Sequence, residues 1–134
     1  MTFSKYIFCV VLLISLFSGG CQRLAINGDL DGEWEVMEVD PKPPYTSENT
    51  RYFYNFSHHV CQLTVYGGVF TSGNLSYHDN TMGLDFPYIK TPEQKLRLKQ
   101  YGIYTNPVSF NVYFEKKDRL ILSNEDVTIT LRKF

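Results

Sequence analysis

What the chain lacks narrows its function first. It carries 13 basic against 14 acidic side chains, a formal net charge of −1. Without a basic excess or a basic stripe, it has no electrostatic footprint for nucleic acid, where phosphate contacts dominate affinity. Histidines number three, and His58 and His59 are neighbours. Adjacent residues on a strand face opposite ways, so that pair does not make one metal site, and His78 with Asp79 reads as a polar turn. There is no Gly-any-Ser-any-Gly elbow, no metalloprotease helix motif and no phosphate-binding glycine loop. Ser57 beside His58 is proximity in sequence, whereas catalytic triads are made in space. Glu33 and Glu35 are expected to alternate outward beside Trp34 as solvated carboxylates, and Lys95, Arg97 and Lys99 to form a solvated face. The reading is a non-enzymatic protein with no cofactor and no metal.

Long apolar runs are equally scarce. The single one follows Lys5, from Tyr6 to Phe17, and is closed by Gly19-Gly20-Cys21. A charged start, an apolar stretch and small residues before a cut describe a secretory signal. The Cys directly after the small residues resembles a bacterial lipoprotein signal, although Ser18 stands where an apolar residue is usual and Leu16 lies further back. The resemblance implies cleavage after residue 20, lipidation of Cys21 and attachment to a membrane. The expected organisation is a signal peptide over 1–20, an anchored tether over 21–31 and one domain over 32–134. Removing the signal leaves 12 basic against 14 acidic residues. Of the three cysteines, Cys9 leaves with the signal and Cys21 is acylated, so Cys61 has no partner for a disulfide within the mature chain. Cys61 alternates with Leu63 and Val65 and reads as a buried, inert thiol.

The rest of the chain is rich in aromatic residues and β signals. Eight segments alternate with period two: Gly32–Val39, Arg51–Ser57, Val60–Tyr66, Val69–Tyr77, Thr81–Tyr88, Val108–Glu115, Leu120–Ser123 and Val127–Arg132. Prolines 41, 43 and 44 forbid continuation of the first. Gly73 within the fourth suggests a bulge or bend. Thr91-Pro92-Glu93-Gln94 combines an N-cap, proline at the first helical position and a capping-box Gln, with Gly102 placed to close a short helix. Short connections make successive strands antiparallel neighbours. Eight of them predict an all-β, up-and-down antiparallel barrel, because closure removes exposed edges.

Leu30-Asp31-Gly32-Glu33-Trp34 resembles the opening strand of lipocalins, with its Gly-any-Trp pattern. The whole mature chain resembles the small lipocalin-like lipoproteins of Bacteroidales, which share the lipidated Cys, the Gly-any-Trp opening, eight strands, a late short helix and a final Arg-Lys-Phe. The resemblance implies that Trp34 plugs the closed end of the barrel and that Arg132 packs over its indole. It also implies an outer-membrane location. With Gln22-Arg23 after the Cys and no acid before Asp29, the periplasmic face is expected rather than the cell surface.

An eight-stranded barrel is just filled by side chains or holds one small ligand. Tyr52, Tyr54, Phe56, Tyr77, Phe86, Phe110 and Phe114 are the candidates to line such a pocket, with tyrosine hydroxyls as its few polar contacts. The same bulky rings can instead fill the interior. The leading expectation is binding of a small, partly apolar ligand in or at the barrel mouth. The alternative is an interaction module of an outer-membrane assembly working through the barrel's outer face.

Overall fold

The computed structural model describes residues 26–43 and 49–134. Cys21 and the signal segment lie outside the described residues. A 3-10 turn, Gly28–Leu30, leads into eight strands: β1 Gly32–Asp40, β2 Tyr52–Ser57, β3 Val60–Val65, β4 Gly68–His78, β5 Thr81–Asp85, β6 Val108–Lys116, β7 Arg119–Ser123 and β8 Thr128–Lys133. Each pairs antiparallel with the next, and β8 returns to pair with β1, closing the barrel. The expected up-and-down topology is the one observed.

Alternation sets which residues point inward, and three departures from it shape the barrel. In β1, Val36 pairs Leu131 and Glu38 pairs Thr130, so Met37 is an extra, unpaired residue. That is why Trp34 and Val36 face in but the next inward residue is Val39. In β4 the extra residue is Phe70, lying between Val69 and Thr71 opposite Thr64 and Leu63. The irregularity expected at Gly73 is therefore three residues earlier. Gly73 itself pairs regularly with Cys61, and a Cβ there would lie 2.6 Å from the Phe86 ring. The third departure is the end of β5. Thr81–Tyr88 reads as strand, yet pairing stops at Asp85 because Pro87 has no N–H to offer. The Asn106 side chain takes the place of a strand partner, accepting from Phe86 N–H at 2.9 Å and donating to its carbonyl at 2.9 Å.

Between β5 and β6 the chain forms α1, Pro92–Leu98, continued by a 3-10 turn, Lys99–Tyr101. The capping box forms as its residues dictate: Thr91 Oγ1 accepts from Gln94 N–H, and the Gln94 side chain accepts from Thr91 N–H. Gly102 ends the helical segment at φ 84, and a Cβ there would collide with Ile129. Only glycine meets both demands.

Candidate functional site

The closed end is built from the Gly-any-Trp segment. Trp34 is wholly buried, and its indole N–H donates to the Leu30 carbonyl at 2.8 Å. Phe114 packs on it at 6.2 Å between ring centroids. The cation over the indole is Lys133, with Nζ 4.7 Å from the ring centroid, and not Arg132. Lys133 reaches that place because Gly32 has no side chain: a Cβ there would lie 2.9 Å from Nζ. Gly32 also sits at φ 127, outside the range of other residues. The Lys133 ammonium donates to the carbonyls of Asp29 and Asp31, tying the end of β8 to the turn before β1.

Arg132 points to the outer surface and meets Glu35. Glu35 is not solvated as its alternation suggests; it is only 7% exposed, held by Arg51 at 2.6 and 3.0 Å and by Arg132 at 3.5 Å. Arg51 lies over Phe53 and Phe134, and the three side chains roof the carboxylate. Paired strands β1, β2 and β8 bring these residues together from three places in the chain.

The seven candidate pocket residues do not converge on one opening. Tyr54, Phe56, Phe86 and Phe110 are buried in the core. Tyr77 and Phe114 lie toward the closed end, Tyr77 beside Asn80 and Phe114 against Trp34. Tyr52 alone stands at the mouth. Cys61 is buried, and desolvation pushes its thiol well above the ordinary range, so it stays protonated and unreactive. Ser57 Oγ and His58 Nδ1 do meet at 3.0 Å, but both are exposed in the turn, and among the described residues no third group orients the imidazole. Among the described residues, no group of three metal-ligating side chains comes together.

The mouth is plugged by the segment that follows α1. Leu98, Tyr101 and Ile103 are buried in the barrel core together with Ile89. The Tyr101 hydroxyl donates to the Thr64 carbonyl at 2.8 Å, while the Tyr54 hydroxyl donates to the Tyr101 carbonyl at 2.5 Å. Tyr101 also packs edge-on to Tyr52 at 5.1 Å and Tyr54 at 5.9 Å, and stacks on Phe70 at 6.0 Å. Desolvation raises the Tyr54 and Tyr101 phenols above their ordinary range, so both stay neutral donors. Tyr104 donates to the Pro41 carbonyl at 3.3 Å, holding the plug to the end of β1.

Two clefts flank this plug. One, of about 600 Å³, has Ile89, Leu98 and Ile103 at its floor and Lys95, Lys99, Tyr104, Thr105 and Asn106 around it. The other, of about 110 Å³, is lined by Tyr52, Val65, Tyr66, Arg97, Gln100 and Tyr101. The three cations of the helical segment, Lys95 and Arg97 on α1 and Lys99 in the 3-10 turn, are divided between them. Sequence reading of α1 as a solvated face found the charge but not the clefts, which exist only where the helix docks. Tyr66 and Tyr101 carried no signal beyond their aromaticity.

An eight-stranded closed barrel, its Trp34 end sealed from the first strand, is the geometry of lipocalins. The sequence model of the lipocalin-like domain matches residues 13–134. The chain belongs to the lipocalin-like family. This lipocalin-like chain is similar in fold to a lipocalin-like protein from Bacteroides uniformis at 24% identity and a TM-score of 0.58, covering 80% of this chain and 100% of that one. It is also similar to an uncharacterized protein from Bacteroides eggerthii, at 15% identity and a TM-score of 0.56, over 78% of this chain and 98% of that one. No curated protein matches it.

Proposed function

We propose that this lipocalin-like chain is an envelope lipoprotein, anchored through Cys21, that binds a small, partly apolar ligand at the mouth of its barrel without converting it. The observation that carries the reading is the plug. Tyr101 and its neighbours occupy the upper lumen, so ligand-binding surface is offered beside the plug rather than inside the barrel. The larger cleft, about 600 Å³ with an apolar floor and a polar rim, falls in the size range of small-molecule sites. Anchoring is supported by the signal-like segment that ends just before Cys21. For placement on the periplasmic face of the outer membrane, the support is the resemblance to Bacteroidales lipoproteins together with Gln22 and the absence of acids before Asp29.

Native mass spectrometry of the full chain, purified in detergent from its own cells, tests the binding. A reproducible bound mass is the expected result. A clean apo mass that does not shift with an envelope extract would remove ligand binding and leave the outer face as the working surface. Membrane fractionation of Cys21→Ala tests the anchor: the variant is expected to leave the membrane fraction, and its retention there would refute lipidation.

A further inference from the structure

We propose that the smaller mouth cleft recognises a small planar organic anion, of the shape of an aryl carboxylate, gripped by Arg97 among the rings of Tyr52, Tyr66 and Tyr101. The inference rests on the mouth-binding reading and adds to it a second site, in the smaller cleft on the other side of the plug, with its own chemistry.

Tyr66 is the residue the fold does not explain. It sits at φ 53 in the β3–β4 turn, a left-handed conformation that Asn or Gly takes at far lower cost than an aromatic. It is 82% exposed, so the core does not require its ring either. Its hydroxyl is nonetheless positioned, meeting Thr50 Oγ1 at 2.9 Å. An aromatic side chain that neither turn nor core needs, with its hydroxyl held at the edge of a cleft, is a contact surface for something else.

Arg97 is the second such residue. It projects from α1 with its guanidinium 4.0 Å from the centre of the Phe70 ring, and Phe70 is there because it is the extra residue of the β4 bulge. Among the described residues no carboxylate lies within salt-bridge distance of it. The cation is oriented by a stack and, among the described residues, has no counter-charge. A planar guanidinium fork matches a carboxylate in two parallel hydrogen bonds better than it matches a spherical anion.

The remaining walls fit a flat body. Tyr52 and Tyr101 meet edge to face at 5.1 Å, and Gln100 adds an amide. Desolvation, reinforced by Tyr66, raises the Tyr52 phenol above its ordinary value, which keeps it a neutral donor. The cleft holds about 110 Å³, below the roughly 150 Å³ of an engineered cavity that admits benzene. One ring therefore enters in part, carboxylate first, with its far edge in solvent. A long acyl chain does not fit.

The test is 19F NMR of 4-fluorobenzoate, with uncharged 4-fluorobenzamide for comparison, titrated against the full chain in detergent. Saturable shift and broadening of the acid is expected, with the amide at least about tenfold weaker because the charge-assisted bonds are lost. Arg97→Met, on the exposed helix face, is expected to weaken the acid by about tenfold or more, whereas Lys99→Met in the other cleft leaves it within about twofold. Tyr66→Phe, which keeps the ring and removes the hydroxyl, is expected to weaken the acid a few-fold. Equal binding of acid and amide, or Arg97→Met binding like the parent, would overturn the proposal. Loss of acid binding in Lys99→Met but not in Arg97→Met would also overturn it, while leaving mouth binding intact. If neither probe binds saturably the anion site is wrong, and a bound mass in the native spectrum still decides the mouth reading separately.

Discussion

The two ends of the barrel are closed by the same device, built in opposite ways. At each end one large aromatic side chain fills the lumen and donates its polar hydrogen to a backbone carbonyl. Trp34 finds its acceptor in Leu30, four residues back, while Tyr101 finds Thr64, 37 residues away. Tyr101 is then fixed from below by Tyr54, 47 residues away. The first plug is local and needs only the 3-10 turn and the start of β1. The second needs β2, β3 and β4 paired and α1 docked before any of its contacts exists. The local end is roofed by Lys133, and the one cleft described near it, of about 280 Å³, lies on the outer face between Met37, Lys116, Arg119 and Arg132 rather than beside the plug. The long-range end is edged by Lys95, Arg97 and Lys99 and leaves two clefts beside it. The plug built from local contacts and the plug built from distant ones thus sit at opposite ends of one barrel.

The largest expected effect is at the sealed end. Trp34→Ala should cost about 3–5 kcal/mol through lost burial and the cavity left behind. Chemical denaturation reads this directly, and an unchanged midpoint would show that the sealed end does not support the fold. Tyr101→Ala is expected to cost about 3 kcal/mol, because the mouth plug is as buried as the indole but sits on a segment that can relax. A cost near zero would break the symmetry between the two plugs.

Alkaline titration sharpens the comparison, since the buried phenols lie on the mouth side and the indole does not titrate. Tyr54 and Tyr101 have raised pKa values in the folded state. Their stabilising contribution is whole below the unfolded value of about 10 and is lost as pH rises from there toward the folded pKa, by up to about 1.4 kcal/mol per pH unit for each phenol. Melting temperatures measured from pH 8 to 11 should start to fall near pH 9, where the Cys61 thiol ionises only in the unfolded chain, and fall more steeply above about pH 10, where the two phenols add to it. In Tyr101→Phe the fall should be shallower.

Smaller effects follow at the supports of each plug. Thr91→Ala removes the cap of α1 and should cost about 1 kcal/mol. Because α1 carries the mouth plug, hydrogen exchange at Leu98–Ile103 should speed up while that at Trp34 does not. At the other end, Lys133→Met should cost about 0.5–1 kcal/mol from the lost cation–π contact and shift Trp34 fluorescence. Arg132→Met should leave that fluorescence alone, since Arg132 faces Glu35 on the outside.

Much of the fold could be read from the residues. Alternation in Val108–Glu115 and Val127–Arg132 marks buried faces, and the Thr91–Gln94 capping box marks the start of the helix. Gly32 and Trp34 announce the sealed end. The resemblance names Arg132 as the partner over the indole, yet the alternation of Ile129 and Leu131 with Thr130 and Arg132 already turns Arg132 outward and Lys133 inward, opposite Trp34. Burial of Glu35 was not legible. Its roof comes from β2 and from residues 132–134, and a carboxylate's exposure depends on neighbours that periodicity does not name. The bulge at Phe70 was displaced from Gly73 because it answers to the register of β3, whereas the stop at Asp85 was already written in Pro87.

By itself the sequence determined the antiparallel strands and the helix, because these follow from a repeating pattern along the chain or from contacts within a few residues, while the Trp34 seal was legible only through the lipocalin resemblance. Only the tertiary structure decided that the mouth is plugged, that the candidate pocket residues are mostly core, and that Tyr66 and Arg97 stand at the same cleft. Those facts depend on docking α1 across strands more than 30 residues away, and contacts at that distance are set by closure of the barrel rather than by local chemistry.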